Sequence, residues 1–323
     1  MVRQLARRFA TGFLTLLLVT LLVFGLIHST PGDPLAGAME SPREISAEAR
    51  AELVRIYHLD EPLHVRYLHW LRDLSRGDLG RSFSDRRPVR EKIAERLGIT
   101  LTLNGLALLL MVLLAVPLGA AAAWRPGSTF DRVSALGTYA LYAIPAFWAA
   151  LLLQMAFSVQ LDWLPLAGLR SEGAERFGYL ATLLDRARHL VLPVCCLTYG
   201  GLAYLSRFVR ATLVDSAGNE AAVAARARGL SGLGVLWRHG FRLAAVPMLT
   251  LAGLLLPALV AGSVIVETIF AVPGLGRLFV DAAFQRDFPV VMALTLLSGV
   301  FTLAGIVAAD LGYAIADPRI RRG

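Results

Sequence analysis

Residues 99–123 read ITLTLNGLALLLMVLLAVPLGAAAA and contain no charged side chain. About 20 consecutive, mostly apolar residues in a helix cross the hydrocarbon core of a bilayer, so this stretch predicts a membrane-spanning helix. Five further stretches have a similar apolar character, and they are Phe9–Ile27, Val133–Leu161, Leu190–Phe208, Leu243–Val266 and Pro289–Ala309. Pro193 and the Gly200-Gly201 pair make the fourth of the six the weakest. We therefore expect an all-α integral membrane protein with six transmembrane helices.

The composition of the whole chain agrees with this interpretation. Hydrophobic residues make up 56% of the 323 residues and charged residues 17%, which argues against a soluble enzyme and excludes intrinsic disorder. The net charge of +8 is compatible with a nucleic-acid binder, but basic residues that alternate with apolar spans indicate membrane topology instead. Cys195 and Cys196 are adjacent and predict neither a disulfide framework nor a metal site.

Arginines at the two ends and in two of the predicted loops indicate the orientation of the chain. The loops on the side of both termini are strongly basic and the opposite loops are close to neutral, so we expect both termini in the cytoplasm. The first apolar stretch is longer than a usual signal peptide core and is interpreted as an uncleaved helix. The loop Ser29–Gly98 would then face outward. In it we expect one helix at Ala47–Tyr57 and another after Pro62.

That second helix would carry one apolar stripe, formed by Leu63, Tyr67, Leu71 and Leu74. The stripe predicts a folded cap on the outer membrane surface. Three histidines of the same loop (His58, His64 and His69) are interpreted as solvated surface residues rather than metal ligands.

The predicted spans contain almost no ionisable residues, and this argues against an ion-coupled carrier or a selective channel. The chain also has a single lysine, Lys92, which does not stand in the Gly-Lys-Ser/Thr context of a phosphate-binding loop. A transporter with neither an ion site nor a nucleotide site must draw its energy from another subunit. We therefore expect a cytoplasmic surface that is shaped for docking.

The loop between the fourth and fifth spans, 207–242, is the candidate for that surface. Its middle reads NEAAVAARARGL from Asn219 to Leu230, and the alanine run predicts a helix that Gly229 ends in a left-handed conformation. Ser231 would start a second helix with Leu233, Leu236 and Trp237 on one face. The same pattern fits an amphipathic hairpin that rests on lipid headgroups, and the residues alone leave both interpretations open.

The loop resembles the "EAA" motif of the membrane-spanning permease subunits of ABC importers of the dipeptide, oligopeptide and nickel class, in particular the first of their two paired permease types. Ala224, Ala225 and Gly229 match that motif. The interval of eighteen residues from Gly229 to Pro247 matches it as well. Other family-like stretches occur in the same order as in the family, and they are residues 28–34, 76–83, 144–148, 267–288 and 317–321.

The resemblance implies a type I ABC importer permease fold and assigns the chain to the bacterial plasma membrane as a multi-pass subunit. It implies three segments, which are a first helix with its cap loop (1–96), a permease core (97–310) and a cytoplasmic tail (311–323). The implied partners are a second, homologous permease subunit, two ATPase subunits and an extracytoplasmic solute-binding protein. The chain itself would be no enzyme and would hold no cofactor, since ATP and Mg²⁺ bind to the ATPases.

The resemblance also implies site residues. For coupling to the ATPases these are Glu220, Ala224, Ala225, Arg226, Arg228 and Gly229, with Gly229 as the mechanical corner. For an outer gate or docking of the binding protein they are Glu267, Pro273, Gly274, Gly276 and Arg277. No catalytic or metal residue is expected. Peptides are the implied substrates; a nickel or metal-chelate permease, an ion-coupled carrier and a membrane scaffold are the alternatives.

Overall fold

The structure is a computed structural model that describes residues 2–29, 54–55, 60–241, 244, 248, 255, 259 and 262–316. Its long helices are α1 (Val2–Ser29), α2 (Leu63–Ser75), α3 (Val89–Trp124), α4 (Thr129–Tyr142), α5 (Ala146–Leu153) and α6 (Tyr179–Ala217). They are followed by α7 (Glu220–Ala227), α8 (Gly232–Val235), α9 (Val264–Ile269), α10 (Leu275–Phe284) and α11 (Phe288–Ala316). Two π-helical segments continue α5 and α8, at Gln154–Gln160 and Leu236–Gly240, and a short 3-10 helix lies at Ala174–Arg176.

Four of these helices are long and apolar enough to span a bilayer. Their spanning segments are Arg7–Ser29, Val89–Trp124, Tyr179–Ala217 and Phe288–Ala308, and α4 with α5 forms a fifth candidate. The first, second, fourth and sixth predicted spans lie within the four helices. The predicted fifth span falls mostly outside the described residues. The fourth span has the lowest mean hydropathy of the four, 1.4, as expected. Pro193 does not interrupt it, however, because α6 is one continuous helix of 39 residues.

The third predicted span differs from the expectation of one straight helix. It is divided into α4 and α5, which meet at 93°. Pro145 precedes α5 and disfavours helical backbone at Ile144, so the helix cannot continue through this point. Side chains of α6 compensate the interruption: the Tyr199 hydroxyl donates to the carbonyl of Ile144 at 2.8 Å, and the Cys196 thiol donates to that of Ala146 at 3.6 Å. An apolar run alone does not reveal such a break.

The chain divides into two compact units. The first comprises Met1–Gly98 and Leu275–Leu303, and the second comprises Ile99–Gly274 and Ala304–Gly323. In the first unit, α1 packs closely against α11, because Gly12 lies against Leu303 and Gly299 against Leu16 with no space for a Cβ. Glycine at these contacts lets two helix backbones approach each other.

The predicted helix after Pro62 is confirmed as α2, and its apolar stripe is partly confirmed. Tyr67 is buried with Phe24 of α1 and Met292 of α11, and Leu71 packs on the same cluster, whereas Leu63 is exposed. The Tyr67 hydroxyl lies 2.9 Å from that of Thr20 in α1. The expected helix at Ala47–Tyr57 lies outside the described residues, apart from 54–55, which are helical.

The second unit is built on contacts between α3 and α6. A Cβ at Gly119 would lie 2.5 Å from the carbonyl oxygen of Ser206, and one at Gly201 would meet the sulfur of Met111. Apolar clusters fill the space beside these contacts; one includes Ala115, Leu205 and Leu213. The small residues in both helices therefore set how closely the helices pack.

Candidate functional site

The alanine-rich segment forms the predicted helix, α7, and ends as the sequence predicts. Gly229 has φ +88°, in the left-handed region. Its N–H donates to the carbonyl of Arg226 at 2.9 Å, and the N–H of Leu230 donates to the carbonyl of Ala225 at 3.2 Å. This pair of bonds is a Schellman motif, which satisfies the last carbonyls of a helix. Gly229 therefore forms a corner at the end of α7.

The second short helix begins at Ser231, as expected. The Ser231 hydroxyl accepts a hydrogen bond from the N–H of Gly234 at 3.2 Å, which caps the start of α8. The predicted apolar face is different, however. Val235 is buried against α7, whereas Trp237 is 59% exposed and stacks on Phe241 at 4.6 Å between ring centroids. The side chains of Leu233 and Leu236 lie outside the described residues, as does Pro247.

Of the six predicted coupling residues, five are exposed to solvent and one is buried. Glu220, Ala224, Arg226, Arg228 and Gly229 are exposed. Ala225 is fully buried with Ala222 and Val235, so its methyl group packs α7 against α8 and is not available to another protein. The surface that a docking subunit can reach is the opposite side of α7, where Val223 is 52% exposed.

The connection to α6 is shorter than the predicted loop 207–242. Helix α6 continues to Ala217, and Gly218 is its C-cap, so that Arg207 belongs to the helix and not to the loop. The Arg226 guanidinium donates to the carbonyl of Ala217, at the end of α6. Arg226 thus ties α7 back to α6, in addition to any role in docking.

A cluster of charged residues that sequence analysis did not identify joins α6 to α4. Asp131 is buried at the start of α4. Its carboxylate accepts hydrogen bonds from Arg210 Nε and Nη2, at 2.6 and 2.5 Å, from Arg207 Nη1 at 3.2 Å and from the N–H of Gly127 at 2.9 Å. Two sequence signals were present: Ser128 and Asp131 have the spacing of a helix cap, and Arg207 and Arg210 share one helical face.

The predicted outer-gate residues of the second unit form a tight turn after α9. Glu267 is fully buried, and its main-chain carbonyl accepts the N–H of Val272 at 2.8 Å. Gly274 lies directly against the Glu267 carboxylate, where a Cβ would be 2.5 Å from Oε1. Thr100 Oγ1 lies 3.5 Å from the same oxygen, and Pro273 is exposed. Glu267 and Gly274 thus pack directly against each other within this turn.

The remaining predicted gate residues belong to α10, in the first unit. Gly276 is buried on the inner side of this helix, and Arg277 is partly exposed, with its Nε 3.9 Å from Asp281. Phe284, at the end of α10, is 85% exposed. Helix α10 therefore presents one charged and aromatic side away from the packing of its own unit.

The single lysine takes part in a second buried polar cluster in the first unit. Lys92 Nζ donates to the Ser82 hydroxyl at 2.9 Å and lies 2.9 Å from Asp85 Oδ2 and 3.7 Å from Asp287 Oδ2. The Asp287 carboxylate accepts hydrogen bonds from the Ser82 hydroxyl and from the N–H of Phe83 at 2.9 Å. The cluster fixes the segment 80–88 to the start of α11.

The surroundings of Asp85 in this cluster change the pKa of its carboxyl group. Partial burial acts to raise the pKa of its carboxyl group, but hydrogen bonds from Lys92 and from the N–H of Arg87 outweigh this effect, so the pKa lies below its usual value. Of the three loop histidines, His69 contacts Glu61 at 3.2 Å, His64 is exposed and His58 lies outside the described residues.

Known proteins match the chain over nearly its whole length. The sequence model of the family described as "Binding-protein-dependent transport system inner membrane component" matches residues 115–322, and that of its N-terminal component matches residues 1–104. The oligopeptide transport system permease protein AppB of Bacillus subtilis is 39% identical over 321 residues, and the dipeptide transport system permease protein DppB of Escherichia coli is 33% identical over 337; 99% of each chain is covered. These matches confirm the resemblance to ABC importer permeases, and the chain belongs to the family of binding-protein-dependent transport system inner membrane components.

Proposed function

We propose that this chain is a membrane-spanning permease subunit of an ATP-driven importer of peptides, which an extracytoplasmic binding protein delivers. The observation that carries the proposal is the exposed corner at Gly229, in a chain of this family. The peptide substrate is inferred from the relatives, whose names specify oligopeptide and dipeptide transport. A second, homologous permease subunit would complete the path.

Energy would reach the chain through the corner. The two ATPase subunits bind ATP and Mg²⁺, and their closure would push the exposed side of α7. The Arg226 bond to the end of α6 and the Asp131 cluster would pass this motion on to α6 and α4 as a rigid body. In this scheme the chain itself hydrolyses nothing.

The proposed orientation places both termini and the Gly229 corner in the cytoplasm. Polar contacts within each unit support it, because they join segments that were assigned to the same side. Asp131 and Arg210 come from two predicted inner segments. Ser82 and Asp287 come from two predicted outer segments. The orientation can be tested directly with the variant Val223→Cys. Labelling of the introduced thiol is measured from each side of sealed vesicles.

The test of the function is reconstitution. The chain is placed in liposomes with its partner permease, the ATPases and the binding protein, and uptake of a labelled dipeptide is measured with and without ATP. We expect uptake only with the complete set and with ATP. Uptake by this chain alone under an ion gradient would favour the ion-coupled carrier instead.

A nickel or metal-chelate importer is the second candidate within the same class. The binding protein selects between the two, because it is the component that captures the solute. Calorimetry of that protein with dipeptides and with chelated nickel separates the candidates: tight binding of the chelate without binding of dipeptides would replace the peptide proposal.

A further inference from the structure

A cavity of about 150 Å³ lies in the first unit, between α1, α2, the segment after α2 and the start of α11. Much of its wall is apolar or aromatic, and the residues of this kind are Phe24, Trp70, Phe83, Leu79, Phe288 and Met292. A guanidinium group, that of Arg66 in α2, also lines it. Small-molecule sites typically combine such an apolar wall with a few polar groups.

Among the described residues, several N–H donors of Arg66 have no acceptor. A guanidinium has five N–H donors and no acceptor. Within the described part of the chain, the one hydrogen bond that the structure gives this group runs from Arg66 Nη2 to His28 Nε2, at 2.8 Å. Glu61 attracts the charge, but no carboxylate in the described residues comes within ion-pair distance of it. Among the described residues, the positive charge of Arg66 therefore has no carboxylate as a direct partner.

His28 is held so that it orients this guanidinium. Its Nδ1 lies 2.7 Å from the carbonyl oxygen of Phe24, which can only accept, so Nδ1 carries a proton. Since Arg66 can only donate, Nε2 must be the unprotonated acceptor. The imidazole is consequently neutral and adds no negative charge to balance Arg66. It fixes the direction of the guanidinium and leaves its other donors available.

Partial burial makes the charge of Arg66 energetically unfavourable when no anion is bound to it. Arg66 is partly withdrawn from solvent, and this desolvation lowers the pKa of its guanidinium, although the charge of Glu61 opposes the effect. A desolvated cation without a direct counter-charge gains more from an anion than an exposed one does.

We propose that this cavity binds a carboxylate, that Arg66 holds the carboxylate through the donors that His28 does not use, and that His28 is a positioning residue. A planar guanidinium can bind both oxygens of a carboxylate at once. The aromatic wall favours a carboxylate that is attached to an apolar body.

The other charged groups of the cavity narrow the choice of ligand. Arg81 adds a second cation, and His69 lies beside Glu61. Asp73 and Asp78 also line the cavity, and Asp78 already accepts the N–H of Gly80 at 2.8 Å. Two carboxylates would repel a dianion, so the expected ligand is a monocarboxylate, and an additional ammonium group would be tolerated.

The first test needs no variant. The full chain, in nanodiscs with the subunits that co-purify with it, is titrated with 3-phenylpropionate and with its uncharged amide, 3-phenylpropionamide, and binding is followed by saturation-transfer NMR. We expect the acid to bind at least about tenfold more tightly than the amide, which is what charge-assisted hydrogen bonds contribute. Equal binding of the two probes, or no binding of either, would overturn the proposal.

Two variants then assign the effect to Arg66. Arg66→Gln should reduce the preference for the acid to about one, and Arg66→Lys should leave part of it, because the charge remains and the planar fork is lost. Arg72→Gln is the matched control, since Arg72 lies on α2 but does not line the cavity. An unchanged preference in Arg66→Gln would contradict the assignment.

The carboxylate has two possible sources, a free ligand or an acidic side chain of the docked binding protein. Repeating the titration with the binding protein present distinguishes these two sources. If its side chain enters the cavity, docking displaces 3-phenylpropionate and Arg66→Gln weakens docking about tenfold. If a free carboxylic acid is the ligand, docking leaves the affinity for the probe unchanged. The proposal does not depend on the transported substrate being a peptide.

Discussion

Arg210 of α6 binds Asp131 of α4 through two parallel hydrogen bonds, Nε to Oδ1 at 2.6 Å and Nη2 to Oδ2 at 2.5 Å. Such a bidentate pair fixes orientation as well as distance. Because α6 ends at Ala217, directly before α7, this contact connects the helix that leads to the expected ATPase surface with the first half of the bent α4–α5 pair. The side chains nearer the bend, Tyr199 and Cys196, belong to the same helix.

We expect Asp131→Asn to destabilise the protein and to uncouple transport. Breaking a buried ion pair costs several kcal/mol, but Arg207 and Arg210 are partly exposed, so about 2 kcal/mol is expected. The measurements are thermal unfolding in nanodiscs and the ratio of peptide taken up to ATP hydrolysed. Asp215→Asn is the control, because Asp215 is an exposed carboxylate on α6, the helix that carries Arg207 and Arg210. A normal transport ratio in a folded Asp131→Asn complex would exclude the linking role.

Gly229→Val should abolish the stimulation of ATP hydrolysis by substrate while expression stays normal. A β-branched residue at φ +88° is strained by about 1–2 kcal/mol, although no atom lies within 4 Å of a Cβ at this position. The loss would therefore come from the backbone and not from a collision. Gly218→Ala is the matched control, since Gly218 has φ −82°. Unchanged stimulation in Gly229→Val would refute the corner as the coupling element.

Local signals predicted the corner well, and long-range contacts escaped prediction. An alanine run that ends in glycine specifies a helix and its left-handed cap within a dozen residues, and α7 with Gly229 follows this rule. The Asp131–Arg210 pair joins residues that are 79 positions apart, and no periodicity records such a contact. The burial of Ala225 was missed for the same reason, because it depends on where Val235 packs.

The apolar runs predicted where the membrane spans lie, but not whether each span is one continuous helix. Hydropathy sums side chains over a window and does not register a change in backbone direction, so the bend before Pro145 was not predicted, although the proline was visible. Conversely, Pro193 suggested an interruption, and α6 continues through it. Neighbouring helices decide between these outcomes by satisfying the freed backbone groups, as Tyr199 does at the bend.

Gly274→Ala should destabilise the turn after α9. The new Cβ would overlap the Glu267 carboxylate, which is fully buried, and overpacking of this kind costs about 1–3 kcal/mol. Adding Glu267→Asp should restore part of the loss, because the shorter side chain withdraws the carboxylate. Thermal unfolding of the single and double variants measures both effects. Gly105→Ala is the control, since a Cβ there meets no atom within 4 Å; equal behaviour of the two alanine variants would argue against the close contact.

The contact between Asp85 and Lys92 should make the stability of the first unit depend on acid pH. The pKa of Asp85 is lower in the folded chain than its usual value near 3.9, so its carboxylate stabilises the fold above about pH 4 and this contribution is lost as the pH falls further. We expect the unfolding temperature to fall between pH 5 and pH 3, and the fall to be smaller in Asp85→Asn. Since Lys92 is the principal cation of the cluster, Lys92→Met should also reduce the dependence, whereas Asp78→Asn, which removes an exposed carboxylate outside the cluster, should leave it unchanged. An identical pH profile in Asp85→Asn and the unmodified chain would mean that other carboxylates control acid unfolding.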